Sequence, residues 1–256
     1  MSYEMEYSCL EYKKRVILFR NRCFIEKKLY IFRIGLRTEQ KDWIMNEKWT
    51  WLPDFASDMG IWEDDLVGIA PDAEHLFVTY EKMVSVLDDV YGLPGIAEAS
   101  TVVGWGLGAF VLLKNAHNRP KNQKWILLSP YADYCSDHSE WNNENLSFIA
   151  HQTKTAVDAT LNAFYELIEN EFGEWQDDWM KAAKAINPEA LYKGLSYIAK
   201  NRIDEPVPIT AETQVLYGRM DGAVPPAMTL ELKEFMPGVE FKERPKAGHW
   251  PPLLLF

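Results

Sequence analysis

The chain is short of cysteine. Its 256 residues hold three, Cys9, Cys23 and Cys135, widely spaced and without a C-x-x-C pair. That argues against a disulfide framework and against a metal site of cysteine ligands, and free thiols fit a reducing, cytoplasmic setting. Long apolar runs are also missing. None reaches the ~18 residues of a membrane helix, and the N-terminus lacks the apolar stretch of a secretory signal. Basic charge is scarce, with 27 Lys/Arg against 38 Asp/Glu and a net charge of −11. A nucleic acid partner would need clustered cations, so that function class is disfavoured.

Apolar residues make up 47% of the sequence and charged residues 25%, which suits a soluble globular protein with a sizeable core. Ten Trp and twelve Tyr point to broad packing slabs and an aromatic-lined pocket. Charge is uneven. Residues 1–44 carry ten Lys/Arg and six Asp/Glu, a net of +4, so the remainder carries −15. Two readings stand for this basic stretch. Val16–Phe19, Cys23–Ile25 and Leu29–Ile34 could form a β-meander, or the stretch precedes a natural start at Met45.

From Lys48 onward strands and helices alternate, which predicts a mostly parallel sheet covered by helices on both faces. Expected strands are Trp49–Pro53, His75–Tyr80, Thr101–Trp105, Trp125–Leu128, Thr213–Tyr217 and Val239–Glu243. Expected helices include Glu63–Ile69, a stripe of Met83, Val84, Val86, Leu87 and Val90, then Ala109–Asn118 and Pro226–Phe235. Residues 139–203 are helical in pattern, with Asn187 as an N-cap and Pro188 at the first helical position. The expected organisation is therefore an extension over 1–44, an α/β core over 45–138 and 204–256, and a helical lid over 139–203.

Three segments could carry chemistry. Gly104-Trp105-Gly106-Leu107-Gly108 joins a buried strand to a helix, in the place and form of a G-x-S-x-G nucleophile elbow, but with Gly106 where the serine belongs. A dinucleotide loop explains the glycines less well, because the next strand, Trp125–Leu128, runs into Ser129-Pro130 rather than an acidic residue. Asp221 follows a buried strand in Tyr217-Gly218-Arg219-Met220-Asp221-Gly222. His249 lies in Ala247-Gly248-His249-Trp250. Each could be an ordinary turn residue, but together they stand in the order nucleophile, acid, base. Asp133 is a reserve acid. Ser57 is a loop-capping residue more than a nucleophile.

On these segments, and on Leu52-Pro53-Asp54-Phe55 through Trp62, residues 48–256 resemble the pimeloyl-[acyl-carrier protein] methyl ester carboxylesterases of biotin synthesis and their α/β-hydrolase relatives. The resemblance implies an α/β-hydrolase fold with a helical lid and no cofactor or metal. It implies that Asp221 orients His249 as general base, that the Phe55 and Leu107 N–H groups form the oxyanion hole, and that Trp105 lines the acyl pocket. It also implies a small acyl ester as substrate and acyl-carrier protein as a partner. Lys154, Lys181, Lys184, Lys193, Lys200 and Arg202 are the basic residues of the lid that such a partner would meet, or simply a solvated face.

Four departures stand against ordinary catalysis. Gly106 removes the attacking oxygen. Asp54 replaces a glycine and brings a carboxylate near the anion hole. The last core helix is short or missing, and the first two strands are missing unless residues 16–34 supply them. Losing a triad serine costs about six orders of magnitude in turnover. Three readings follow: a member of the esterase lineage without serine turnover, a hydrolase using water activated by His249, or a non-enzymatic acyl-binding or interaction module.

Overall fold

The computed structural model describes residues 47–168 and 176–256. The expected meander over residues 16–34 lies outside them. The described residues form one six-stranded sheet, every neighbouring pair parallel: β1 (Lys48–Leu52), β2 (Glu74–Phe77), β3 (Thr101–Trp105), β4 (Lys124–Leu128), β5 (Thr213–Gly218) and β6 (Glu240–Arg244), in the order β2-β1-β3-β4-β5-β6. The central strand β3 is buried at all five positions and lies between β1 and β4, which is why it reads as a continuous apolar run. From β1 the order moves outward to β2 and then crosses back to β3. The crevice beyond the C-terminal ends of β1 and β3 is therefore a switch point, the place where open α/β sheets bind ligands.

Several expected elements differ in extent, among them the helix expected at Ala109–Asn118, which runs over Leu107–Lys114. The strand at His75–Tyr80 ends at Phe77, and Tyr80 instead opens a helix. The long stripe through Val90 collapses to α2 (Tyr80–Val84), after α1 (Glu63–Leu66). Thr79 caps α2 by accepting from the Lys82 N–H, and the Ser85 hydroxyl donates back to the Lys82 carbonyl, a local bond that competes with helix continuation. The helix after β3, α3 (Leu107–Lys114), starts at the turn itself and is buried at every position but its last.

Between β4 and β5 lie α4 (Asn143–Gln152), α5 (Val157–Glu166), α6 (Gln176–Ala185) and α7 (Pro188–Ile198). The Asn187 side chain accepts from the Glu189 N–H, with Pro188 at the first helical position, as the sequence predicts. The chain then returns through β5 to α8 (Pro226–Phe235) and, after β6, to α9 (Pro251–Leu255). Among the described residues no helix is long and apolar enough to cross a membrane.

Candidate active site

Four loops meet at the C-terminal edge of the sheet, and each delivers one residue. Asp54 follows β1, Gly106 follows β3, Asp221 follows β5 and His249 follows β6. The turn after β3 is built by its glycines. A side chain at Gly104 would meet the Ala109 backbone at 2.8 Å, and one at Gly108 would meet the Leu52 carbonyl oxygen at 2.6 Å. Gly106 itself has φ +51° and ψ −110°, a strained corner that L side chains rarely adopt.

Asp221 is fixed on all sides. Its Oδ2 accepts from the Ser129 hydroxyl at 2.6 Å, and its Oδ1 accepts from the N–H groups of Ala223 at 3.0 Å and Val224 at 2.7 Å. The same carboxylate faces His249 Nδ1 at 2.9 Å. Asp133 stays in its own loop, accepting from the Cys135 N–H. Ser57 also serves its neighbours, donating to the Phe55 carbonyl and accepting from the Trp179 indole. Trp105 donates to the His249 carbonyl at 3.0 Å, and its ring packs 5.1 Å from the imidazole, so it both walls the site and holds the histidine loop.

The space left by the missing serine is filled. The Asp54 carboxylate lies where a Cβ on Gly106 would project, so a side chain there would collide with it. Asp54 Oδ1 accepts from the Leu107 N–H at 2.5 Å, and Oδ2 pairs with His249 Nε2 at 2.7 Å. One of the two expected oxyanion-hole donors is thus already engaged by a side chain of the protein. The other, the Phe55 N–H, has no partner among the described residues. Ala56, two residues past Asp54, takes φ +52°, a non-glycine residue in the left-handed region that shapes this loop.

His249 therefore has a carboxylate at each ring nitrogen and is only 2% exposed. Burial works against its charge, but Asp221, by charge and hydrogen bond, and then Asp54 outweigh it and hold the imidazole well above its ordinary pKa. A ring donating from both nitrogens is an imidazolium, not a waiting base.

The cavity beside this cluster measures about 30 Å³. That is room for two or three waters, since a water needs roughly 10–15 Å³ of such space. Phe164 of α5, Trp179 of α6 and Ile198 of α7 line it together with Asp54 and His249. Tyr131 also lines it, and its hydroxyl has no hydrogen-bond partner among the described residues. Burial, then Asp54, raise the Tyr131 pKa well above the usual phenol value, so it remains a donor. The sequence reading missed Ser129 and Tyr131. Ser129 sits at φ +44° just past β4, and only its position beyond a strand end hinted at a role.

The chain has the α/β-hydrolase fold. It is similar to an esterase from Exiguobacterium antarcticum (16% identity, TM-score 0.67, covering 80% of this chain and 85% of that one). It is also similar to an enol-lactonase from Burkholderia xenovorans (15%, 0.61, 80% and 84%) and to MenH from S. aureus (15%, 0.59, 84% and 91%). At these identities the likeness establishes the fold. No protein-family model and no curated protein sequence matches the chain.

Proposed function

We propose that this chain is of carboxylesterase type but has lost serine acyl transfer, and keeps a small aromatic-lined site for a compact, uncharged ligand of the acyl-ester class. The observation that carries this reading is the Asp54 carboxylate seated on the Leu107 N–H. An ester carbonyl needs that donor to stabilise its developing oxyanion, and a carboxylate lodged there repels the same charge. The cluster of two carboxylates and one imidazolium has a net charge of −1, so an anionic ligand is disfavoured as well. A biotin-pathway substrate carried by acyl-carrier protein fits the resemblance, but it needs more room than about 30 Å³. Three of the basic residues such a carrier would meet already face carboxylates of their own chain: Lys154 with Glu189, Lys184 with Asp158, and Arg202 with Asp204.

The test is hydrolysis of a small ester, methyl acetate, followed by acid release. The natural sequence should be inactive, and Gly106→Ser alone should remain so, because the new side chain meets Asp54. The double variant Asp54→Gly/Gly106→Ser should gain turnover by orders of magnitude. Ester hydrolysis by the natural sequence that disappears in His249→Ala would favour the water mechanism instead.

A further inference from the structure

We infer that helix α6 holds the Asp54 carboxylate in its seat through Trp179 and Ser57, so that this helix decides whether the anion hole is filled. The inference deepens the reading above, because it names what regulates the filled site, and it rests on the same placement of Asp54. The link is a chain of bonds. The Trp179 indole donates to the Ser57 hydroxyl at 2.9 Å, and that hydroxyl donates to the Phe55 carbonyl at 2.9 Å. The Ser57 N–H donates in turn to the Asp54 carbonyl at 3.2 Å, which completes a turn over residues 54–57 around Ala56. Both ends of the relay are out of water, Trp179 at 3% exposed and Ser57 at 1%.

A turn of this shape needs an outside hold. Ala56 sits at φ +52°, where a Cβ crowds the backbone, so the loop on its own favours another conformation. An indole N–H only donates, and burying it without an acceptor is costly. With Trp179 in place, the Ser57 hydroxyl has its single proton left for Phe55, and the turn is fixed in the form that aims Asp54 at the Leu107 N–H. Trp179 also meets the other side of the pair. Its ring lies edge-on to Trp250, 6.3 Å away, and Trp250 follows His249 in the chain. One side chain of α6 thus touches both loops whose residues pair as Asp54 and His249.

Of the walls of the cavity, α6 is the least anchored. Of its residues 177–185 only Trp179 and Ala183 are buried, against three positions in α5 and five in α7. Elements with few buried contacts are the first to open. Trp179 lines the cavity, and a ligand larger than a few waters has to push a wall aside. Moving α6 outward breaks the bond to Ser57 and releases the turn, which lets Asp54 leave the Leu107 N–H. Ligand entry and the emptying of the anion hole are then one event.

Trp179→Phe removes the donor of the relay and Ser57→Ala removes the acceptor. In both variants, NMR of ¹⁵N-labelled protein should show the Leu107 amide proton moving upfield, as a hydrogen bond to a carboxylate is lost. Its exchange with solvent should quicken by about fivefold to tenfold, the factor that one hydrogen bond makes. The His249 ring should titrate lower, because Asp54 withdraws from Nε2 and leaves Asp221 alone to hold the charge. Coupling is reciprocal, so Asp54→Ala, which empties the seat, should speed amide exchange over residues 177–185 by the same factor. Where Trp179→Phe does not fold, Ser57→Ala decides. A merely structural Trp179 would speed exchange in α6 and leave the Leu107 amide and the His249 titration unchanged, which overturns the proposal, as does unchanged exchange of α6 in Asp54→Ala. These readouts involve no ester, so they hold or fail independently of the assay on Asp54→Gly/Gly106→Ser, which reports on acyl transfer alone.

Discussion

At Gly106 a side chain meets two obstacles at once, a positive φ and the carboxylate of Asp54. Gly106→Ser should therefore destabilise the fold by about 2–4 kcal/mol, from left-handed backbone strain and overpacking together. Adding Asp54→Gly should recover the packing part, which paired urea denaturations will resolve. Asp54→Asn keeps the shape but removes one charge from the imidazole. The His249 pKa should then fall, observable as a ring-proton titration by NMR; an unchanged titration would mean that Asp54 does not hold the proton. The glycines, Asp221 and His249 were legible in the sequence because turn geometry and chain order mark them. The role of Asp54 was not. It lies 52 residues before Gly106, and no local pattern records that one carboxylate fills another residue's missing side chain.

At the scale of elements, β3 and α8 follow directly from apolar run and helix pattern, with bounds as expected. The helix at Tyr80–Val84 does not, because Ser85 turns its hydroxyl onto the helix and ends it. The same helix holds a buried cost. The Tyr80 hydroxyl is enclosed with no hydrogen-bond partner among the described residues, pressed against Gly194 of α7. Tyr80→Phe should thus leave stability unchanged or raise it by about 1 kcal/mol, since an unsatisfied buried hydroxyl costs roughly 1–3 kcal/mol. Gly194→Ala should do the reverse, because a methyl there meets that hydroxyl. The expected loss is about 1–3 kcal/mol, with faster amide exchange in α7. A neutral Gly194→Ala would show that α7 is not held tightly against α2.

For the whole molecule, the buried cluster links folding to pH. The raised pKa of His249 gives a stabilisation that is complete below the unfolded value of ~6.5 and is lost as pH rises through the folded value. Urea midpoints should fall from neutral toward alkaline pH. The fall should begin before the buried tyrosines Tyr131 and Tyr134 contribute, because their unfolded counterparts titrate only near ~10. In Asp54→Asn the decline should be smaller and centred at lower pH; a flat profile in the natural protein would remove the imidazolium from the account.

The crowding of residues 54 and 106 also gives any exchange between them a preferred order. Serine at 106 and aspartate at 54 compete for one corner, so either change is costly while the other group is in place. The least costly path to a serine at this corner passes through a chain with neither group, and begins by discarding the aspartate.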